Sequence, residues 1–142
     1  KHIAALGFVP KNGTNGIYHK IYVDYAIEID FETQSINYGS AITAESKTTQ
    51  NFSQPENFVV LECVDRLLTK GYKPQNIVLE KTWPSGHGTS GRLDICVNRE
   101  DGTPYMLIEC KTFGKEYNKE LARIRKDGGQ VIYIFPTIWK QG

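Results

Sequence analysis

Cysteine is scarce in this chain and shows no pairing pattern. Cys63, Cys96 and Cys110 have no Cys-x-x-Cys spacing and all fall in apolar stretches. An odd count of buried-looking thiols argues against a disulfide scaffold or a cysteine zinc site and fits a reducing cytoplasm. No run of 18 apolar residues and no signal-peptide pattern is present, so neither a membrane span nor a secretion signal is read. Histidine is also sparse. His2, His19 and His87 are scattered and read as surface or loop residues rather than ligands. Net charge is nearly absent, at +1 from 17 basic and 16 acidic residues. A nucleic-acid partner would therefore need a local basic patch, because no global field would draw it in.

The 142 residues are enough for one domain with a proper core. The chain begins at Lys1 rather than Met and ends soon after an apolar segment, so it reads as a piece of a larger protein. Residues 1–50 read as a β meander that belongs to the same domain. Asn12-Gly13 and Asn15-Gly16 signal turns, residues 17–23 and 25–31 alternate apolar and polar, and residues 36–38 add a short strand. Asp24, Glu28, Asp30 and Glu32 make this part acidic, as a solvated outer face would be. The polar run 43–56 reads as a connector.

Residues 51–142 read as the second part. A helix is predicted from Pro55 or Asn57 to Lys70, stopped by Gly71. Val60, Leu61, Cys63, Val64, Leu67 and Leu68 form its broad apolar face. Glu62, Asp65, Arg66 and Thr69 lie opposite, which makes Glu62 a solvent-side partner of Arg66 one turn on. Residues 77–79 read as a short strand and 83–91 as a loop. A second helix is predicted over 115–126, stopped by Gly128-Gly129. It buries Tyr117, Leu121 and Ile124, and it aligns Lys115, Lys119, Arg123 and Lys126 on another arc. That arc suits phosphate contacts, or is a solvated face tempered by Glu116, Glu120 and Asp127. Residues 130–139 are ambiguous. Residues 131–135 favour a strand, and Pro136 fits poorly inside a helix.

The chemistry concentrates in residues 91–111. Asp101-Gly102 is a two-residue hairpin signal, because a type I′ turn needs positive φ. Leu93, Ile95 and Val97 alternate before it, and an apolar run follows it. With those two residues as the loop, opposed positions sum to 203 and Asp94 faces Glu109, whereas a longer loop around Thr103-Pro104 would shift this register by a residue or two. Directly opposed side chains have Cβ atoms about 4.5–5.5 Å apart. Glu109 and Lys111 share a face, with Cys110 on the other. Facing carboxylates repel, so one holds a proton unless a cation sits between them. Hard oxygen donors in a small site suit Mg²⁺ or Mn²⁺ better than zinc. Such an ion activates water and stabilises charge on a phosphate, with Lys111 steering the water or neutralising charge. The bland alternative is that these are solvated strand-end charges, since Glu-x-Lys is a common tripeptide. The chain carries its own control. Glu45-Ser46-Lys47 repeats the pattern, with Asp30 at the matching distance upstream, but in a polar run that reads as loop.

The order helix with Glu62, strand, Gly91-Arg92-Leu93-Asp94-Ile95, turn, Leu107-Ile108-Glu109-Cys110-Lys111-Thr112, basic helix resembles the PD-(D/E)xK nuclease superfamily. It is most similar to the N-terminal nuclease domain of type I restriction enzyme motor subunits and of single-chain restriction–methyltransferase enzymes. The likeness covers about residues 55–135, and 116–130, ending Asp127-Gly128-Gly129-Gln130, strengthens it. It implies an α/β fold with a central mixed sheet flanked by helices. It implies metal-dependent hydrolysis of DNA phosphodiesters in a restriction–modification system. Asp94 and Glu109 would bind Mg²⁺, for which Mn²⁺ could substitute, and Lys111 would be the catalytic lysine. Glu62 would be the acidic residue at the edge of the site, ordering a water or a second ion. Gln130 matches the glutamine of a Gln-x-x-x-Tyr motif, but position 134 is Ile and the nearest tyrosine is Tyr133. Arg92, Lys115, Lys119, Arg123 and Lys126 would hold the backbone of double-stranded DNA. Helicase motor or methyltransferase domains, in the same or a partner chain, would complete the enzyme. Two other readings stand beside this one. The domain could bind DNA or dock without catalysis on a nuclease scaffold, or Asp94 and Glu109 could have no role in any activity.

Overall fold

The computed structural model describes residues 2–84, 90–111 and 131–134. Along them run α1 (His2–Ala5), β1 (Val9–Pro10), β2 (Ile17–Tyr22), β3 (Tyr25–Asp30), β4 (Ser35–Asn37), β5 (Thr43–Ala44), α2 (Pro55–Thr69), β6 (Ile77–Pro84), β7 (Ser90–Asn98), β8 (Pro104–Cys110) and β9 (Val131–Ile134). The fold is α/β. The meander β1-β2-β3-β4 is antiparallel throughout, as its alternating pattern predicts. The second sheet has the order β5-β6-β7-β8-β9. Its outer pairs are parallel and its inner pairs antiparallel, so it is the mixed sheet expected.

Local sequence explains α2 well. Pro55 opens the first turn, where its missing N–H is not needed. Gly71 follows the last turn at φ +99°. Val59, Val60, Leu61, Cys63, Val64 and Leu67 join one core with Ile77, Leu79, Ile95, Val97, Ile108 and Cys110 of the second sheet. Ile27, Ile29, Ile36 and Tyr38 of the meander enter that same core.

Here the structure corrects the polar arc of α2. Glu62 is 1% exposed and Asp65 7%, not solvent-facing. The i,i+4 partnership does form, with Arg66 Nη2 2.7 Å from Glu62 Oε1 and the arginine side chain still half exposed. The meander is what covers Asp65. Lys20 Nζ and the Tyr22 hydroxyl, both from β2, each donate to Asp65 Oδ1 at 2.6 Å. Helical periodicity reports which face is polar, but not whether water or another sheet meets it.

Two boundaries also move. Thr43–Ala44, predicted as connector, pairs in parallel with Val78 and Leu79. The β6–β7 ladder continues to Trp83↔Gly91 and Pro84↔Ser90, so positions 83, 84, 90 and 91 of the predicted 83–91 loop are strand. Ladder hydrogen bonds satisfy backbone groups whatever the side-chain propensity, so Gly, Ser and Pro were poor guides there. In the ambiguous tail, Val131–Ile134 is strand β9, as its β-branched residues favour. Residues 85–89, the predicted helix 115–126 with its cations, Gln130 and residues 135–139 lie outside the described residues.

The β7–β8 hairpin reaches its expected register by an unexpected route. The Arg99 N–H donates to the Thr103 carbonyl at 2.8 Å, and the Gly102 N–H to the Arg99 carbonyl at 2.9 Å. The loop is therefore the three residues 100–102, with Gly102 in the left-handed region at φ +87°. An odd loop displaces the pairing by one, giving Asn98↔Pro104. A bulge at Tyr105 then restores it, giving Val97↔Met106, Cys96↔Leu107 and Ile95↔Ile108. One step further along, Asp94 lies across from Glu109. Gly102→Ala is expected to destabilise the protein by about 1 kcal/mol, read as a lower urea midpoint at unchanged slope, because alanine resists that φ.

Candidate active site

Side chains alternate along β7 and β8, so the two faces of the hairpin carry different chemistry. Ile95, Val97, Ile108 and Cys110 are buried in the core. Asp94, Glu109 and Lys111 belong to the opposite face, and the structure brings these three together. The Cys110 N–H donates to Asp94 Oδ2 at 2.7 Å. Asp94 and Glu109 hydrogen-bond to each other through their carboxyls. Lys111 Nζ stands 3.5 Å from Glu109 Oε1, and both side chains are about one-fifth exposed.

The electrostatics follow from crowding like charges in a half-buried place. Burial, then the negative charge of Asp94, pushes the Glu109 carboxyl up to about 7, against the pull of Lys111. Burial also raises Asp94, opposed first by the Cys110 N–H, and the nearby charge of Glu80 adds to the rise. The pair thus keeps one proton over much of the acidic range. A site that must retain a proton to hold two carboxyls together is one where a cation could take the proton's place.

Glu80 was not singled out in the sequence. Leu79↔Ile95 and Lys81↔Leu93 flank it, which puts Glu80 across β7 from Asp94. It is 2% exposed and adopts φ +56°. A non-glycine residue in that region costs about 1–2 kcal/mol, so its surroundings must hold it there. The signal available was a glutamate directly after the apolar run Ile77-Val78-Leu79. That signal becomes informative only once the β6–β7 register is known.

The other predicted residues divide as follows. Arg92, on β7, reaches Glu80 Oε2 with Nε at 3.4 Å, and its side chain is 55% exposed. Glu62 is buried on α2 with Arg66. Among the described residues, no three or more His, Cys, Asp or Glu side chains gather as a metal-binding group, so Glu62 forms no trio with Asp94 and Glu109. Tyr133 pairs with Glu109 along β9. The control copy stays apart from this site. Glu45 accepts from the Thr82 N–H at 3.0 Å and from the Thr82 hydroxyl at 2.8 Å, which hold its carboxyl below the usual range. All three cysteines are free and buried, as expected. Among the described residues no helix is long and apolar enough to cross a membrane.

Residues 55–126 match the family model described as type I restriction enzyme R protein N terminus. The matched stretch starts at α2 and takes in β6, β7 and β8, and so includes Glu62, Asp94, Glu109 and Lys111. No curated protein matches the chain.

Proposed function

Because the chain belongs to the family of type I restriction enzyme R protein N termini, we propose that it is the metal-dependent endonuclease domain of a restriction system. The observation that carries this reading is the Asp94–Glu109 carboxyl pair on adjacent strands, with Lys111 beside it. Two carboxylates completed by water fit Mg²⁺, which is usually held by one or two carboxylates and keeps several waters. Asp94 and Glu109 would hold the ion, and Mn²⁺ would substitute. When bound, the ion supplies an activated water and Lewis-acid stabilisation of the phosphate.

The chain's own residues do the rest. Asp94 is fixed by the Cys110 N–H, so one carboxylate is already aimed. Lys111, held against Glu109, offers an ammonium to the phosphate or to the attacking water. Arg92 contacts the DNA backbone without reading sequence, and the predicted cations at 115, 119, 123 and 126 join it. Glu62 is retained as the acidic residue at the edge of the site. Gln130 and Tyr133 remain accessory candidates. The substrate is double-stranded DNA, and motor or methyltransferase domains would supply target choice and translocation.

The test is calorimetric titration of Mn²⁺ beside a DNA-cleavage assay. Below pH about 7 the ion must displace the Glu109 proton. Affinity is therefore expected to rise up to about tenfold per pH unit until near 7 and then level. The sign for stability is opposite. Glu109 binds its proton more tightly folded than unfolded, so without metal the protein loses stability as pH rises from about 4.5 to about 7. Thermal unfolding with chelator should fall across that window, and Mn²⁺ should reverse the fall. A flat affinity profile, or none of this reversal, would remove Glu109 from the metal site.

A further inference from the structure

We propose that Glu80 is a positioning residue that holds Arg92 in place to grip a DNA phosphate beside Asp94 and Glu109. The carboxylate is built in from two sides. The Thr48 hydroxyl, from the connector before α2, donates to Glu80 Oε2. Arg92 Nε meets the same oxygen at 3.4 Å from the β7 side. Glu80 is 2% exposed, whereas the Arg92 side chain is 55% exposed. A buried anion is thus tethered to an arginine whose far end reaches water. A guanidinium anchored through Nε keeps its two terminal nitrogens for a second partner, and that fork matches two phosphate oxygens.

Position supports the assignment. Arg92 and Asp94 alternate onto one face of β7, and Glu80 shares that face from β6. Lys111 stands beside Glu109, with Nζ 3.5 Å from its Oε1. Arginine and lysine therefore border the carboxyl pair on the side where a phosphate backbone would pass. Glu80 is a poor third metal ligand by comparison. Its Oε2 already serves Thr48 and Arg92, and it forms no ligand trio with Asp94 and Glu109.

This inference rests on the nuclease reading, and a double-mutant cycle on DNA affinity separates the two. Binding of a short duplex by the full chain is measured with metal chelated, over a range of salt. Arg92→Ala is expected to weaken binding about tenfold and to lower the salt slope by about 1. Arg92→Lys keeps the charge but has no planar fork to bond two phosphate oxygens while another nitrogen faces Glu80, so it should lose most of the same affinity. In a Glu80→Gln background, Arg92→Ala should cost about threefold or less, because the arginine is no longer held. Glu80→Gln alone should leave Mn²⁺ binding intact. Equal cost of Arg92→Ala in both backgrounds, native-like binding by Arg92→Lys, or loss of Mn²⁺ binding in Glu80→Gln would each overturn the proposal. Should Glu80→Gln fail to fold, Thr48→Val, which loosens Glu80 from its other side, takes its place in the cycle. Native protein that showed the coupling but cut no DNA with Mg²⁺ would remove the nuclease reading and leave the Glu80–Arg92 pair standing.

Discussion

Asp94→Asn is expected to abolish Mn²⁺ binding and to lower DNA cleavage on the order of a thousandfold, while leaving the fold as stable as before or more so. The loss follows from removing one of two ligands to an ion worth several kcal/mol in the transition state. The preserved stability follows from the local chemistry. Asparagine still offers an oxygen to the Cys110 N–H, which Asp94 accepts at 2.7 Å. The substitution meanwhile removes a carboxylate disfavoured by burial and by the charge of Glu80. A residue kept for structure would behave in the opposite way, costing stability when changed. Calorimetry, thermal unfolding and a plasmid-nicking assay on the same preparation would decide. Full Mn²⁺ binding by Asp94→Asn would sink the metal site. DNA binding that is steeply salt-dependent, indifferent to metal and untouched by this change would favour a docking domain on a nuclease scaffold.

The second large effect lies away from the site. Asp65→Ala is expected to destabilise the protein by about 2–3 kcal/mol in urea unfolding. It would take from Lys20 its charged acceptor, leaving the Leu6 carbonyl at 2.6 Å and the Tyr22 ring, and would leave the Tyr22 hydroxyl without the acceptor it has here. That hydroxyl is a committed donor, since burial and then Asp65 hold its proton well above the usual tyrosine range. Asp65→Asn keeps an acceptor while losing the charge, so it should cost about half as much. Arg66→Ala, which takes the ion-pair partner from the buried Glu62 carboxylate, should also destabilise, by about 1–3 kcal/mol. A change within about 0.5 kcal/mol for Asp65→Ala would mean that α2 does present this arc to solvent.

The two predictions separate what could be read from what could not. Asp94, Glu109 and Lys111 were legible because alternation and one Asp-Gly turn place residues within a hairpin, over short distances of chain. The detail was still partly fortunate, since a three-residue loop and the Tyr105 bulge cancelled each other. Glu80 was not legible. Its partners are Thr48, 32 residues away, and Arg92 across a ladder whose register nothing local specifies. The same holds for Asp65, whose acceptor oxygen is met by Lys20 and Tyr22, 45 and 43 residues away.

By itself, then, the sequence determined the α2 span between Pro55 and Gly71, the meander strands, the free cysteines and the facing carboxyls. Each rests on backbone geometry, turn chemistry or hydrophobic period within a few residues. Only the tertiary structure decided that β5 joins the second sheet, that the meander covers the polar arc of α2, and that a third carboxylate stands beside the pair. Those outcomes depend on which surfaces exclude water from one another, a property of the whole core that no local pattern encodes.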